Sequence, residues 1–173
     1  MLIVFSGLPG TGKSTLARQL ARKLKSTYLR LDTLEAVLLS AGFQATVEGY
    51  TALYNLAEDN LRLGQTVVVD CVNPLLVTRE TWHEVARRCS SRCVDIEIIC
   101  SDRAEHQRRV ETRREDETTH AGEWRPPTWP GVQASDYQPW TTPHLRLDTA
   151  QGTPQENVEA LTQLSGMHGV FER

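Results

Sequence analysis

Five residues near the start of the chain, Gly7, Gly10, Gly12, Lys13 and Ser14, have the types and spacing needed to hold a polyphosphate. They fall in the stretch Gly7-Leu8-Pro9-Gly10-Thr11-Gly12-Lys13-Ser14-Thr15, which meets the pattern G-x-x-x-x-G-K-[ST]. Glycines allow a backbone path that aims successive N–H groups at one point, and a helix starting near Lys13 adds its positive N-terminal end there. The expected chemistry is binding of a nucleoside triphosphate in the embrace of residues 7–15. Lys13 reaches the β- and γ-phosphates, and the Ser14 hydroxyl ligates Mg²⁺. A dinucleotide site would require Gly or Ala where the chain has Thr15, and is rejected.

Further charged residues stand where they could complete such a site. Asp70 closes the β-branched run Thr66–Val69, the pattern of a carboxylate that holds Mg²⁺ or its waters. Asp32 follows Tyr28–Leu31 at a strand-to-helix junction. That position suits either a group in the crevice at the carboxyl ends of the strands or, with Glu35 three residues on, a helix cap. Asn73, before Pro74, is expected in extended geometry, either as a turn residue or as a contact to acceptor or γ-phosphate. Arg79 reads as surface charge or as part of the site. Arg108, Arg109, Arg113 and Arg114 crowd one helix, with Arg109 and Arg113 on a common face. They could clamp a phosphoryl group, or form a solvated face paired with Glu105, Glu111 and Glu115.

The elements that must position these groups alternate between strand and helix patterns. Leu2–Phe5 is a continuous apolar run suited to a strand buried on both faces, and Leu16, Ala17, Leu20, Ala21 and Leu24 form one helical face. Val47–Leu63 reads as a helix ended by Gly64, and Thr78–Arg88 as another with Trp82, Val85 and Ala86 inward. Val94–Cys100 alternates apolar residues with Asp95 and Glu97, which predicts a strand partly exposed at its start. A lid helix is expected over 102–115. No periodic element is visible in the Trp- and Pro-rich stretch over 116–143, which suits a flap over the site, with Trp140 as its anchor. Leu145–Leu147 gives a fifth strand ending at Asp148, and Thr153-Pro154-Gln155-Glu156 is a capped helix start.

At 173 residues the chain fits one domain, large enough for a sheet between two helical layers. A net charge of −3 argues against wholesale nucleic-acid binding and favours small-molecule partners. The four cysteines form no C-x-x-C pair, so free thiols in a reducing compartment are expected, and Cys89-x-x-x-Cys93 alone does not define a metal site. The N-terminal apolar run lacks a basic flank and breaks at once into the glycine loop. It is therefore neither signal peptide nor membrane anchor, and a cytoplasmic location is expected.

With these residues assembled, the chain resembles the small P-loop kinases grouped with polynucleotide kinase, zeta toxin and chloramphenicol phosphotransferase, and most of all their single-domain bacterial ATP-binding (AAA-type) relatives. The resemblance runs through GLPGTGKST, LRLDTLE, VVVDCVNP with Arg79 and Trp82, IICSDRAEHQRRVETR, and DYQPW followed by LRLDTA. It implies an α/β three-layer fold with a five-stranded parallel sheet in the order 2-3-1-4-5. It also implies Asp32 as the base for an acceptor hydroxyl, lid arginines Arg109 and Arg113 on the phosphates, and the turn from Asp148 and Thr149 to Gly152 beside the adenine. ATP and Mg²⁺ are the implied cofactors, and a hydroxyl-bearing small molecule or a nucleic-acid 5′ end the acceptor. Two other classes compete, a nucleotide switch or bare NTPase and a non-catalytic ATP-binding module. The chain has no N-K-x-D motif, which disfavours a GTPase.

Overall fold

The computed structural model describes residues 1–43, 47–112 and 125–164. Five strands, β1 (Leu2–Ser6), β2 (Thr27–Arg30), β3 (Val67–Asp70), β4 (Cys93–Ile99) and β5 (Leu145–Asp148), form one parallel sheet in the order β2-β3-β1-β4-β5. This is the expected three-layer α/β architecture. The central strand β1 pairs with β3 and β4, and Leu2, Ile3, Val4 and Phe5 are wholly buried. An unbroken apolar run is what a strand covered on both faces demands.

Two cores flank the sheet. On one face Ile3, Phe5, Val68, Ile96 and Ile98 meet Leu16, Ala17 and Leu20 of α1 (Lys13–Leu24) and Val158 and Leu161 of α7 (Pro154–Leu164). On the other, Leu2, Val4, Val67 and Val69 meet Leu31 of α2 (Leu31–Ser40), Leu53, Ala57 and Leu61 of α3 (Val47–Arg62) and Trp82, Val85 and Ala86 of α4 (Leu76–Arg88). Helix α1 stops at Lys25, whose φ of 50° is left-handed, while the Ser26 N–H donates to the Ala21 carbonyl and Arg22 and Lys23 sit at the negative end of the dipole. Helix α7 starts on the expected box: the Thr153 N–H donates to Glu156 (2.7 Å) and the Glu156 N–H to the Thr153 hydroxyl (3.3 Å).

Several local expectations are corrected. Strand β2 ends at Arg30, so Leu31 and Asp32 already lie in the first turn of α2. Strand β4 is not exposed at its start: Asp95 and Glu97 are 6% and 8% accessible. Its alternation separates two buried faces, one apolar and one polar, because Asp95 meets His83 and Glu97 meets His144 and Arg146. The stretch expected to be irregular holds α6 (Trp129–Gln133), begun by the Thr128 hydroxyl accepting from the Gly131 N–H. Of the lid helix, α5 (Arg103–Thr112) is described. Arg113, Arg114, Glu115 and Trp124 lie outside the described residues. Among the described residues, no helix is long and apolar enough to cross a membrane.

Candidate active site

The phosphate loop leaves the carboxyl end of β1 and turns into α1. Gly12 is the N-cap of α1 at φ 89°, a left-handed conformation that side chains resist, and no side chain caps the helix. The first turn contains no acidic residue. The first amides of α1 are thus left to an anion rather than to a capping oxygen. At Gly10 (φ 85°) an added Cβ would run into Val110 and His106 of α5, so the loop lies tight against that helix. The His106 ring and the Pro9 carbonyl stand 2.8 Å apart, a second tie between α5 and the loop. Thr11 closes the turn, its hydroxyl donating to the Leu8 carbonyl (2.9 Å).

Lys13 lies deeper than a charge at the mouth would. Its side chain is 10% accessible, and Nζ donates to Asp70 Oδ1 at 2.8 Å. Tyr28 donates its hydroxyl to Asp70 Oδ2 at 2.6 Å, and the Ser14 side chain also hydrogen-bonds this carboxylate. Burial pushes the Asp70 carboxyl up, but Lys13 and these donors outweigh burial and hold it below its ordinary value of 3.8. The same pairing, after burial, drives the Tyr28 phenol well above its ordinary range, so Tyr28 stays a donor. Ser14 and Asp70 therefore form a pair of hard oxygen donors beside the loop, and the residues present fit Mg²⁺.

Two crevices open around this centre. One, about 280 Å³, is lined by Gly12, Thr15 and Leu16 of the loop and α1, by Arg109, and by Thr149, Gly152, Pro154 and Asn157. Arg109 is fixed there: Nε donates to Glu105 (2.7 Å), and the two other nitrogens donate to the hydroxyl (2.9 Å) and carbonyl (3.1 Å) of Thr149. Thr149 in turn donates to the Thr11 carbonyl (2.6 Å), which ties the turn after β5 to the loop. Asp148 does not line this crevice. Its carboxylate accepts from the Ser101 and Ala150 N–H groups and shapes the turn. The other crevice, about 140 Å³, is lined by Pro9, Lys13, Asp32, Glu35, Val72, Arg125 and Pro127. A third hollow of about 180 Å³ reaches Gly7, Leu8 and Thr11 from the side of β4.

Asp32 is not the cap of α2. The N-cap is Arg30, without a side-chain cap bond, and Arg30 donates to Asp32 Oδ2 at 2.9 Å. Asn73 is buried with φ 48°, against the extended geometry expected before proline. It donates to the Phe5 carbonyl and the Ser6 hydroxyl and accepts from Trp82 Nε1. Arg79 is not surface charge. It is 2% accessible, donates to the carbonyls of Asn73, Pro74, Gln138 and Pro139, and lies over the rings of Trp140 (4.2 Å) and Tyr137 (5.0 Å). It is the clasp that fixes the segment carrying Trp140, the anchor expected. Sequence reasoning missed Tyr28 and His106. The tyrosine had a signal in its place two residues before the strand end, two before Arg30, whereas nothing local marks His106.

This loop-and-sheet arrangement defines a P-loop kinase fold. The chain belongs to an AAA domain family, whose model matches residues 2–124. No match is found among curated proteins. Among solved structures it is similar to a candidate kinase from Chloroflexus aurantiacus (21% identity, 94% of this chain and 96% of that one, TM-score 0.74). It is also similar to the APS kinase of Mycobacterium tuberculosis in complex with AMPPNP and APS (23% identity, 95% and 96% covered, TM-score 0.68). A gluconokinase from Sinorhizobium meliloti matches at 19% identity (96% and 93% covered, TM-score 0.65).

Proposed function

We propose that the chain is a single-domain, ATP-dependent phosphotransferase that requires Mg²⁺ and moves the γ-phosphate to a hydroxyl acceptor. One observation carries this reading: a single turn of α1 serves both crevices, with Gly12 and Thr15 facing one and Lys13 facing the other beside Asp32. A bare nucleotide site needs only the first. A transferase needs a donor pocket and an acceptor pocket that meet at the phosphate being moved. The neighbours named as APS kinase and gluconokinase support the reaction type and differ in acceptor.

In this reading the adenine side of ATP enters between Arg109, Thr149, Gly152 and Asn157, and the loop amides of residues 7–15 receive its phosphates. Lys13 exchanges its bond to Asp70 for the β- and γ-phosphate oxygens. Ser14 and Asp70 hold Mg²⁺, which supplies neutralisation of phosphate charge. Tyr28 keeps one Asp70 oxygen occupied and so orients the other. Asp32, steadied by Arg30, takes the proton of the acceptor hydroxyl. Arg109 and Arg113 stabilise the phosphoryl oxygens in flight. The acceptor is a small molecule, or a nucleoside or nucleic-acid 5′ hydroxyl. The four free thiols support a reducing, cytoplasmic setting.

The test is a screen of γ-labelled ATP and Mg²⁺ against pooled hydroxyl metabolites and short oligonucleotides. Label carried on an organic product is expected. Release of all label as free phosphate at a rate no pool changes would assign the protein to the NTPases.

A further inference from the structure

The polar face of β4 ends in a group of side chains that phosphoryl transfer does not use. Cys93 and Asp95 alternate along the strand, and His83 reaches them from α4. Their ligand atoms, one from each residue, all lie within 4.8 Å of one another. The cluster sits at the beginning of the strands, since Cys93 pairs with Leu2 across the sheet, whereas the phosphate loop follows their ends. We infer that His83, Cys93 and Asp95 form a binding site for a zinc-type divalent cation, with a water completing four-coordination.

The donor set is what selects the metal. A thiolate, an imidazole and a carboxylate together suit Zn²⁺, while Mg²⁺ prefers oxygen alone. A second observation points to a ligand. The Asp95 side chain is 2% accessible, and while Oδ2 contacts His83 Nε2 at 2.6 Å, Oδ1 is buried with no hydrogen-bond partner. Buried carboxylate oxygens ordinarily find a donor, so an orphan beside a thiol and an imidazole is a position that a cation would satisfy. His144 and Arg79 also act on Asp95 electrostatically, and neither satisfies Oδ1.

The geometry needs only a small adjustment. Ligand atoms around tetrahedral zinc stand about 3.4 Å apart, so His83 must withdraw from its hydrogen bond by less than about 1 Å. With half its side chain exposed it has that freedom, and it leaves an entry path. A metal ion that binds there takes the Cys93 thiolate and displaces the thiol proton to solvent.

The test uses Co²⁺ on chelator-treated full-length protein, then Zn²⁺. One equivalent of Co²⁺ is expected to give a thiolate-to-cobalt absorption band that Zn²⁺ abolishes and excess Mg²⁺ does not. Cys93→Ser should lose the band, and Asp95→Asn should weaken Co²⁺ binding by about tenfold or more. On the unaltered protein, Zn²⁺ should slow alkylation of Cys93 by about tenfold and leave Cys89 and Cys100 unchanged, read by mass spectrometry. A band that survives in Cys93→Ser, a band displaced by Mg²⁺, or equal alkylation with and without Zn²⁺ would overturn the proposal.

Discussion

The two crevices beside the phosphate loop, proposed above as donor and acceptor halves, are walled by different elements. Around the nucleotide half the groups are tied to one another: the loop by His106 and Thr149, Lys13 by Asp70, and Arg109 by Glu105 and Thr149. The acceptor half rests on Asp32, in the first turn of a helix whose later residues, such as Val37 and the following Phe43, are exposed. The difference teaches that a protein can specify its reaction more firmly than its substrate. Triphosphate chemistry demands pre-organised charge. In the proposed reading, acceptor choice falls to the rim around Asp32, Glu35 and Arg125.

The largest change expected is at the centre shared by both halves. Lys13→Ala should cut transfer by about 10³-fold or more, measured by label transfer. It also strands Asp70 in a buried site, at a cost of about 3 kcal/mol in denaturant unfolding. Because pairing with Lys13 holds Asp70 below 3.8, that stability is present above this pH and is lost as pH falls through the folded-state value. Acid unfolding of the native chain from this group should therefore begin only below about pH 4, with the Lys13→Ala window moved upward. An acid profile identical in the two proteins would mean that Lys13 does not govern Asp70.

Asp32→Asn probes the acceptor half alone. Transfer should fall by about 10²-fold, with stability within about 1 kcal/mol and ATP affinity unchanged in calorimetry. Weaker ATP binding in this variant would erase the distinction between the halves. Arg109→Ala probes the donor half and should weaken ATP binding by about tenfold, since the loop amides and Lys13 remain. His106→Ala should lower thermal stability modestly, by about 1 kcal/mol, and raise the KM for ATP a few-fold while leaving the KM for the acceptor alone. A shift in acceptor KM would mean that α5 serves both compartments.

The loop and the strands were legible in the sequence because their determinants are local: glycine spacing, apolar runs, and carboxylates at strand ends. Asp70 was legible for the same reason. The sheet order came from the family resemblance alone. Asp32 was found with a crevice residue and a helix cap both open for it; the cap is excluded because α2 starts at Leu31 on Arg30, two residues earlier than a capping box at Asp32 would place it. Arg79, Asp95 and Glu97 were not legible. A charged residue in sequence looks solvated, and what buries Arg79 is a set of carbonyls and aromatic rings about sixty residues away. Asn73 likewise takes a left-handed backbone because Phe5, Ser6, Tyr50 and Trp82 satisfy it from four directions, a preference no local rule before Pro74 supplies.

The central claim is that one turn of α1 delivers a phosphoryl group from one crevice to the other. Its most direct measurement is the fate of the γ-phosphate in the native chain and in Asp32→Asn, side by side, with ATP, Mg²⁺ and the hydroxyl pool. The account predicts labelled organic product from the native chain and its selective loss in Asp32→Asn, with ATP still bound. Free phosphate as the sole product of both proteins, at equal rates, would contradict it.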